Sequence, residues 1–346
     1  MAYTTIDDST LFFRVKAYSG SGSAASITFD ITDTSMQPDM VWIKNRSTTG
    51  NHGLWDVIRG ATKQLYPNHN YLTSTAANGL TAFNSNGFSV GSDSDQNGSG
   101  NSLVAWAWKA GGSASSNGNG SITSSVSANT TSGCSIVQYS ANNTAGATVG
   151  HGLGVIPKMI WVKESVGSAN DWVVYHEAVG NTKKLILNET NAESIDNFMN
   201  DATPTANTFS ISDASVVNRT GSTYMAYCFA EVKGYSKFGK YVANGNSDNV
   251  FVYTGFRPAF LLTKYTGSGG SWEIVDNKRD GFNGENHRLY PNDSSTEGTG
   301  NDYDLLSNGF KVRQSGGNQQ SGRTNIYAAF AESPFVNSNG VPTNGK

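Results

Sequence analysis

Closely spaced acidic residues are the first feature of this sequence that could support chemistry. Asp93, Asp95, Asn97 and Gly98 have the spacing with which a calcium-binding loop begins. A complete loop of that kind carries a bidentate glutamate at its twelfth position, where this sequence has Val104. The corresponding loops later in the chain lack the acidic pair. The pattern therefore favours a solvated loop, and we expect no metal site.

A second acidic pair, Asp171 and Glu177, flanks the strand-like run WVVYH and has the residue types of a glycosidase acid and base. The related segments near Trp55 and Trp272 lack acids at the position of Asp171, so such an enzyme would need one specialised segment. The sequence also lacks a G-x-S-x-G elbow and paired metal-binding histidines. We therefore predict a non-enzymatic protein without catalytic residues, and a polysaccharide depolymerase is the weakest alternative.

The two cysteines, Cys134 and Cys228, match no zinc or redox spacing. Cys228 lies in an apolar run, which predicts a small buried side chain rather than a reactive thiol. A disulfide bond between the two cysteines is the alternative. No cofactor is expected.

Aromatic residues are the remaining candidates, because sugar-binding sites often combine exposed aromatic rings with Asn and Asp. Most of the tryptophans recur at matching strand positions, which is typical of a core. Ligand-contacting aromatics are instead expected in the loops that vary along the chain. The candidate loop residues are Tyr66, Tyr71, Tyr290 and Tyr303.

The elements that would position these residues are repeated along the chain. PDMVWIK at 38–44 recurs as PKMIWVK at 157–163 and, more divergently, as PAFLLTK at 258–264. From each proline, a landmark phenylalanine lies 50, 52 and 52 residues downstream, and the end of an aromatic strand lies 70, 72 and 72 downstream. Such constant spacing predicts three copies of one unit. The landmarks are Trp55, Asn68, Phe88 and Trp108, then Trp172, Asn188, Phe209 and Phe229, then Trp272, Asn292, Phe310 and Phe330.

Side-chain alternation indicates how each unit packs. Along PDMVWIK, Met40, Trp42 and Lys44 share one strand face, and Val41 and Ile43 share the other. Both faces are apolar, which predicts a strand covered on both sides, with the Lys44 ammonium reaching water at the strand end. The final aromatic strand has a bulky face and a small face in the first two copies. We expect the bulky face to fill a core and the small face to admit a neighbouring sheet or subunit.

Short apolar runs between Gly, Asn and Ser clusters predict an all-β protein of three tandem β-sandwich, jelly-roll-like repeats of about 100 residues each. We place the first unit at 1–112, with an N-terminal arm, the second at 131–235 and the third at 236–335. Residues 113–130 are predicted to be a Gly/Ser/Asn-rich flexible linker, and residues 336–346 a flexible tail. One short helix is predicted within residues 190–202.

Composition excludes several classes of partner. The net charge of −3 provides no basic surface for nucleic acid or for an acidic membrane. No apolar run approaches the roughly 18 residues of a membrane span. The N-terminal stretch has acidic residues where a secretory signal needs a basic segment. We expect synthesis in a cytoplasm, with no nucleic-acid binding and no membrane insertion.

Longer motifs carry a resemblance. Residues 147–163 read A-x-V-G-H-G-L-G-x-x-P-K-M-I-x-V-K, and D-W-x-V-Y-H follows at 171–176. With N-G-F-S-V-G and V-A-W-A-W-K-A-G-G of the first unit, they resemble an uncharacterised repeat family of marine tailed-phage structural proteins, cyanophages especially. The resemblance covers most of the chain and weakens in the third unit, which lacks the H-G-L-G turn.

This resemblance implies a virion component made in the host cytoplasm: a tail fibre, a tail-associated appendage or a capsid-decorating subunit. Its partners would be other virion proteins and further copies of itself, with a trimer favoured among closed assemblies. A lectin-like module that recognises host-surface glycans is the alternative function. The family supplies no catalytic residues.

Overall fold

The computed structural model describes residues 3–30, 34–279, 283, 286–300 and 302–343. Almost every element is a short strand, and the sheets are antiparallel, which confirms the predicted all-β class. The described helices are single turns: α1 (Ser94–Asn97), α2 (Ser215–Asn218) and 3-10 turns at Ser9–Leu11 and Gly317–Gln319.

The strands of the first unit are β1 (Phe13–Ser19), β2 (Ala25–Thr28), β3 (Met40–Asn45), β4 (Gly53–Asp56), β5 (Lys63–Gln64), β6 (Ser74–Thr75), β7 (Leu80–Asn84), β8 (Gly87–Val90) and β9 (Ser102–Trp108). Between the first two units lie β10 (Ser115–Asn117) and β11 (Ser124–Asn129). Those of the second unit are β12 (Cys134–Ser140), β13 (Ala147–Gly150), β14 (Met159–Val166), β15 (Val173–His176), β16 (Lys183–Ile186), β17 (Ser194–Ile195), β18 (Thr208–Ile211) and β19 (Thr223–Phe229). Those of the third are β20 (Ser236–Val242), β21 (Phe251–Tyr253), β22 (Phe256–Tyr265), β23 (Trp272–Asp276), β24 (Asn286–Arg288), β25 (Gly298–Gly300), β26 (Tyr303–Leu306), β27 (Gly309–Val312) and β28 (Thr324–Pro334).

One order of four strands occurs in each unit. It is β1-β9-β3-β4 in the first unit, β12-β19-β14-β15 in the second and β20-β28-β22-β23 in the third. The strand that follows the landmark proline, or in the third unit contains it, lies inside this order and pairs with the final aromatic strand. The paired residues are Met40 with Trp108, Met159 with Phe229 and Phe260 with Phe330. The boundaries of the units stay a prediction.

Each four-stranded arrangement is covered on both faces. Val41, Ile43, Ala105 and Ala107 of the first unit pack with Phe88 of its smaller sheet, β2-β8-β7. The second unit has a similar private core beneath β13-β18, and the third unit carries the sheet β21-β27-β26. The small strand faces thus lie inside the first and second units, where they admit the unit's own second sheet.

The bulky faces meet in one core that all three units share. At its centre Trp108, Phe229 and Phe330 occupy equivalent positions, and their ring centroids lie 5.7, 5.8 and 6.4 Å apart. Trp42 packs edge-on against Trp161 at 5.8 Å. All seven tryptophans of the chain are buried, which confirms their assignment to cores.

Three hydrogen bonds with equivalent donors close the seams between the units, and the acceptors are equivalent in two of them. In each, an aromatic ring N–H at the start of the fourth strand meets a backbone carbonyl of the preceding unit in a closed cycle. The pairs are Trp172 Nε1 with Tyr66 O at 2.9 Å, Trp272 Nε1 with Ile186 O at 2.8 Å, and His52 Nε2 with Asp293 O at 3.1 Å. His52 Nδ1 accepts from Trp42 Nε1 at 2.9 Å, so the histidine proton lies on Nε2 and points at the carbonyl.

The predicted equivalence of Trp55 with Trp172 and Trp272 is wrong. Trp55 lies opposite Val41, in the private core, and His52 holds the place of the other two tryptophans. The landmark asparagines identify this place, because each amide oxygen accepts the backbone N–H of the residue there. These bonds join His52 to Asn68 at 3.0 Å, Trp172 to Asn188 at 2.9 Å and Trp272 to Asn292 at 2.8 Å. A matched tryptophan was a misleading landmark, and the asparagine was the reliable one.

A second set of seam contacts involves Asp56, His176 and Asp276. These residues lie opposite Met40, Met159 and Phe260 in the sheets. Tyr227 donates to Asp56 at 2.7 Å, and Trp106 Nε1 donates to Asp276 at 2.9 Å. Both aspartates also bind a buried arginine, Arg59 or Arg279, at 2.7 Å. These pairs join apolar strands across two seams through charge-assisted hydrogen bonds.

The third seam reverses the direction of this bond. Ala328 stands where Trp106 and Tyr227 stand in the other units and has no donor, and His176 replaces the aspartate. His176 Nδ1 accepts from the Ala178 N–H, and its Nε2 lies 3.1 Å from Tyr327 O. The exchange of donor and acceptor keeps the seam satisfied.

The expectation that the Lys44 ammonium reaches water is wrong. Lys44, Lys163 and Lys264 occupy equivalent strand ends, and all three are completely buried. Each ammonium donates to the backbone carbonyl of the next residue, at 2.5 to 2.8 Å. Burial lowers the pKa of each of the three ammonium groups to about 8.

Residues 113–130 differ from the flexible linker that their composition suggested. They contain β10 and β11, and β11 extends the second unit's sheet by pairing with β12 over its whole length. Val126 and Ile122 are buried among the residues of the second private core. Two apolar anchors in a polar run suffice because the backbone bonds of the strand supply the rest. We call residues 113–130 the arm.

The structures of two other segments also differ from those predicted. The predicted helix at 190–202 is wrong, because β17 and turns occupy it, with Phe198 and Met199 in the private core. The tail folds back over its described part: the Thr343 N–H donates to Phe335 O at 3.0 Å, and the Ser338 N–H donates to Asp7 at 2.6 Å.

Candidate functional site

Two of the four predicted loop tyrosines come together on the surface. Tyr66 and Tyr71 pack edge-on, with ring centroids 5.6 Å apart, and Tyr71 is 50% exposed. His69 stacks on Tyr71 with centroids 4.5 Å apart and planes 15° from parallel. We call Tyr66, His69 and Tyr71 the aromatic platform.

The other two tyrosines do not join the platform. Tyr290 lies in the third unit and is half-buried. The expectation that Tyr303 contacts a ligand is wrong, because it begins β26 and is fully buried. Its hydroxyl donates to Glu273 at 3.0 Å and accepts from Gln319 at 2.9 Å. The polar residues around Tyr303 suggested a loop, but the Tyr303 hydroxyl is part of a buried hydrogen-bond network.

The shared core positions the aromatic platform. Leu65 is buried in that core, and the carbonyl of Tyr66 accepts the seam bond from Trp172. The Tyr66 hydroxyl lies 2.8 Å from Ser74 Oγ, and His69 Nε2 lies 2.9 Å from Asn51 Oδ1. These contacts therefore fix the positions of the Tyr66 and His69 rings at the seam between the first and second units.

The electrostatics of the platform are neutral. Burial lowers the pKa of His69, so its imidazole is uncharged at neutral pH. The neighbouring polar groups are amides and hydroxyls: Asn51, Asn68 and Ser74. A neutral ring face beside amides suits stacking against the apolar face of an uncharged ligand such as a sugar ring.

The platform belongs to the first unit alone. The third unit repeats the Leu-Tyr-Pro-Asn anchor at 289–292, but Asp293 and Ser295 follow it in place of His69 and Tyr71. In the second unit Ile186 stands where Tyr66 stands. The anchor is thus common to two units, and the exposed aromatic residue distinguishes one of them.

The other chemical candidates do not converge. Asp171 and Glu177 lie at opposite ends of β15, about 20 Å apart at the rise of an extended strand, whereas glycosidase carboxylates lie within about 10 Å. Asn188 donates to Asp171 at 2.8 Å, and Lys158 pairs with Glu177. These contacts are structural.

The calcium-like loop is satisfied internally. Asp93 caps α1 by accepting the Asp95 N–H at 2.9 Å, and Asp95 accepts the Asn51 N–H at 3.0 Å. Asn97 is buried and donates to Gly91 O at 2.7 Å. Within the described residues, no group of three His, Cys, Asp or Glu side chains could hold a metal ion.

The cysteines are both buried and free, on opposite sides of one sheet: Cys134 faces the shared core and Cys228 the second private core. Burial raises the pKa of both thiols. None of the described helices has the length and apolar character needed to cross a membrane.

Sequence reasoning missed the residues that join the units. His52 and His176 looked like isolated histidines, yet each occupies a position that repeats in the other units as tryptophan or aspartate. Counting back from the landmark asparagine would have found His52. Alignment of the strand at each landmark proline with the strand that pairs with it would have found His176.

Together these features define an all-β protein in which three units share an aromatic core and one unit displays an aromatic platform. The chain belongs to the family described as a domain of unknown function, DUF7483, whose model matches residues 8–334. That single family model spans the arm and every strand from β1 to β28. No curated protein and no solved structure matches the chain.

Proposed function

We propose that this protein is a non-enzymatic structural component of a virion: a tail fibre, a tail-associated appendage or a capsid-decorating subunit. The observation that carries this proposal is the closed cycle of seam bonds over one shared core. Side chains of the types that often act in catalysis, including His52, His176 and the buried aspartate–arginine pairs, hold the units together. A body held in this way suits the presentation of surfaces to partners.

The choice of a virion in this proposal rests on the resemblance of residues 147–163 and 171–176 to phage structural proteins. Other virion proteins and further copies of the chain, with a trimer favoured, are its proposed partners. The test is imaging of particles that carry a tagged copy, beside particles made without the chain. We expect label at one repeated position and missing density there in the second sample. Identical density maps for both particles would contradict the proposal.

A second candidate function is recognition of host-surface glycans, which the half-exposed ring of Tyr71 on His69 favours. The test is binding of the protein to a glycan array and to host cells, with Tyr71→Ala as the variant. Tyr253→Ala is a matched control, because Tyr253 is 48% exposed on another unit. We expect Tyr71→Ala alone to abolish the signal. A wild-type protein that binds no glycan and no cell would contradict this function.

A further inference from the structure

Apolar side chains are exposed along one side of the third unit. Val242 on β20 is 54% exposed, and Phe251 and Tyr253 on β21 are 44% and 48% exposed. Both strands are at the edge of their sheets. Edge strands with apolar neighbours are templates for an added strand unless something covers them.

The equivalent edges of the second unit are covered by the arm. β11 pairs with β12, which corresponds to β20. Farther along the arm, the Ile122 N–H donates to Thr148 O of β13 at 3.0 Å. The Ser121 and Thr148 side chains exchange two hydrogen bonds with each other's backbone N–H groups, at 2.8 Å each. One short extended segment therefore covers two sheet edges.

Sheet register shows which residues of the third unit lie in the corresponding place. Val149 pairs with Phe209, and Val252 pairs with Phe310, the matching landmark. Phe251 therefore corresponds to Thr148, and Tyr253 to Gly150. The second unit has small residues beneath its arm, and the third unit has large aromatic ones. A segment on β21 can therefore have small side chains of its own and still bury apolar area.

Charge indicates what else the segment contains. β20 carries Lys237 and Lys240, where β12 carries Ser135 and Gln138. A third lysine, Lys311, lies opposite Phe251 on β27 and is paired with Asp248 at 2.8 Å, so the positive charge of this edge comes from β20. With Lys237 and Lys240 on β20, the edge is basic as well as apolar, and it complements a segment with acidic residues.

We propose that this side of the third unit, formed by β20 and β21, binds an extended acidic segment of a partner protein as an added strand. The backbone of β21 pairs with the segment, Phe251 and Tyr253 pack against its small side chains, and the β20 lysines attract its carboxylates. The proposal goes beyond a structural role by naming the surface and the chemistry of the partner.

The test uses the full chain and a labelled peptide of residues 119–129, NGSITSSVSAN, with Ser125→Glu and Ala128→Glu. Their partners on β12, Gln138 and Ser135, correspond to Lys240 and Lys237 of β20. We expect saturable binding, measured by fluorescence anisotropy, that weakens at high salt and about tenfold in Phe251→Ser, a change of about 1.4 kcal/mol. Lys240→Gln should weaken it less and reduce the salt dependence. Ile195→Ser is the control, since it removes an exposed apolar residue of the second unit.

Three results would overturn the proposal. The first is no binding of the peptide to the wild-type chain at millimolar concentration. The second is equal affinity for wild type and Phe251→Ser, each with an unchanged unfolding midpoint. The third is undiminished binding of a peptide N-methylated at Ile122, because the Ile122 N–H makes the bond to β13 that the proposal transfers to β21.

Discussion

The second and third units have the same strand order and contribute equivalent rings, Phe229 and Phe330, to the shared core, yet they differ in their private cores, their sheet edges and one seam. The second unit has an apolar private core, an arm over its edges and His176 at its seam. The third has a buried glutamate, Glu273, open edges and an aspartate–arginine pair. The rings at the centre of the shared core are thus equivalent, and the private cores and sheet edges differ.

The largest effect is expected where the two units are alike. Phe229→Ala and Phe330→Ala should each lower the free energy of unfolding by about 4 kcal/mol, because each opens a cavity in the shared core. Urea unfolding monitored by tryptophan fluorescence measures this. Phe251→Ala, at a half-exposed ring, is the control and should cost less than about 1 kcal/mol. A large difference between the two core variants would break the comparison.

At the seam the two units should respond differently. Asp276→Ala removes the shorter ion pair of the completely buried Arg279 side chain, leaves only Glu297 at 3.3 Å, and should cost about 3 kcal/mol. His176→Ala removes only neutral hydrogen bonds and should cost about 1–2 kcal/mol. Lys158→Ala, which breaks an exposed pair with Glu177, serves as the control and should be nearly neutral. Equal costs at Asp276 and His176 would show that the pairs are interchangeable.

The second and third units should differ in the pH dependence of their stability. Burial raises the pKa of Glu273 to about 7. Its protonated form is favoured in the folded state, so its contribution to stability is complete below about pH 4.5 and lost as pH rises to 7. Glu273→Gln should therefore gain on wild type by on the order of 2 kcal/mol between these pH values, because one pKa unit is about 1.4 kcal/mol.

In the second unit, His176 contributes a pH dependence of stability of the opposite sign. Burial lowers its pKa to about 4, so its contribution to stability is lost as pH falls from about 6.5 to 4. His176→Gln should remove that loss and leave the Glu273 dependence unchanged. Unfolding free energies at several pH values for both variants provide the measurement. A pH-independent difference between Glu273→Gln and wild type would show that Glu273 is not the titrating group.

The smallest effect concerns the arm. Amides of Ala147–Gly150 should exchange with deuterium more slowly than those of Phe251–Tyr253, because Ile122 covers only the first strand. Ile122→Ser should reduce this difference at a cost of about 1 kcal/mol in local stability. Val341→Ser, at a site 56% exposed, is the control. Equal protection of the two strands in wild type would remove the distinction between covered and open edges.

The sequence predicted the local packing of single strands well. Alternation in PDMVWIK separated Met40 and Trp42 from Val41 and Ile43, and the structure places these two sets in different cores. The buried state of the tryptophans followed from their recurrence. These features depend on residues within one strand, where the period of two is enough.

Features that depend on contacts between units were not predictable in this way. A bulky strand face does not reveal whether it packs within its unit or against two others. Lys44 looked like a solvated strand end because its covering residues come from elsewhere in the chain. Tyr303 and the arm looked like loop and linker because their polar neighbours satisfy partners that are distant in sequence. Of the aromatic platform, the sequence analysis named Tyr66 and Tyr71 but not the stacked His69.

The central claim is that the three units share one core and therefore unfold as one body. Native-state hydrogen exchange in low urea, read at the aromatic strands β9, β19 and β28, tests it most directly. We predict opening free energies that agree within about 1 kcal/mol among the three strands and fall with the same urea dependence. One strand that opens several kcal/mol below the other two, with its own urea dependence, would contradict the claim.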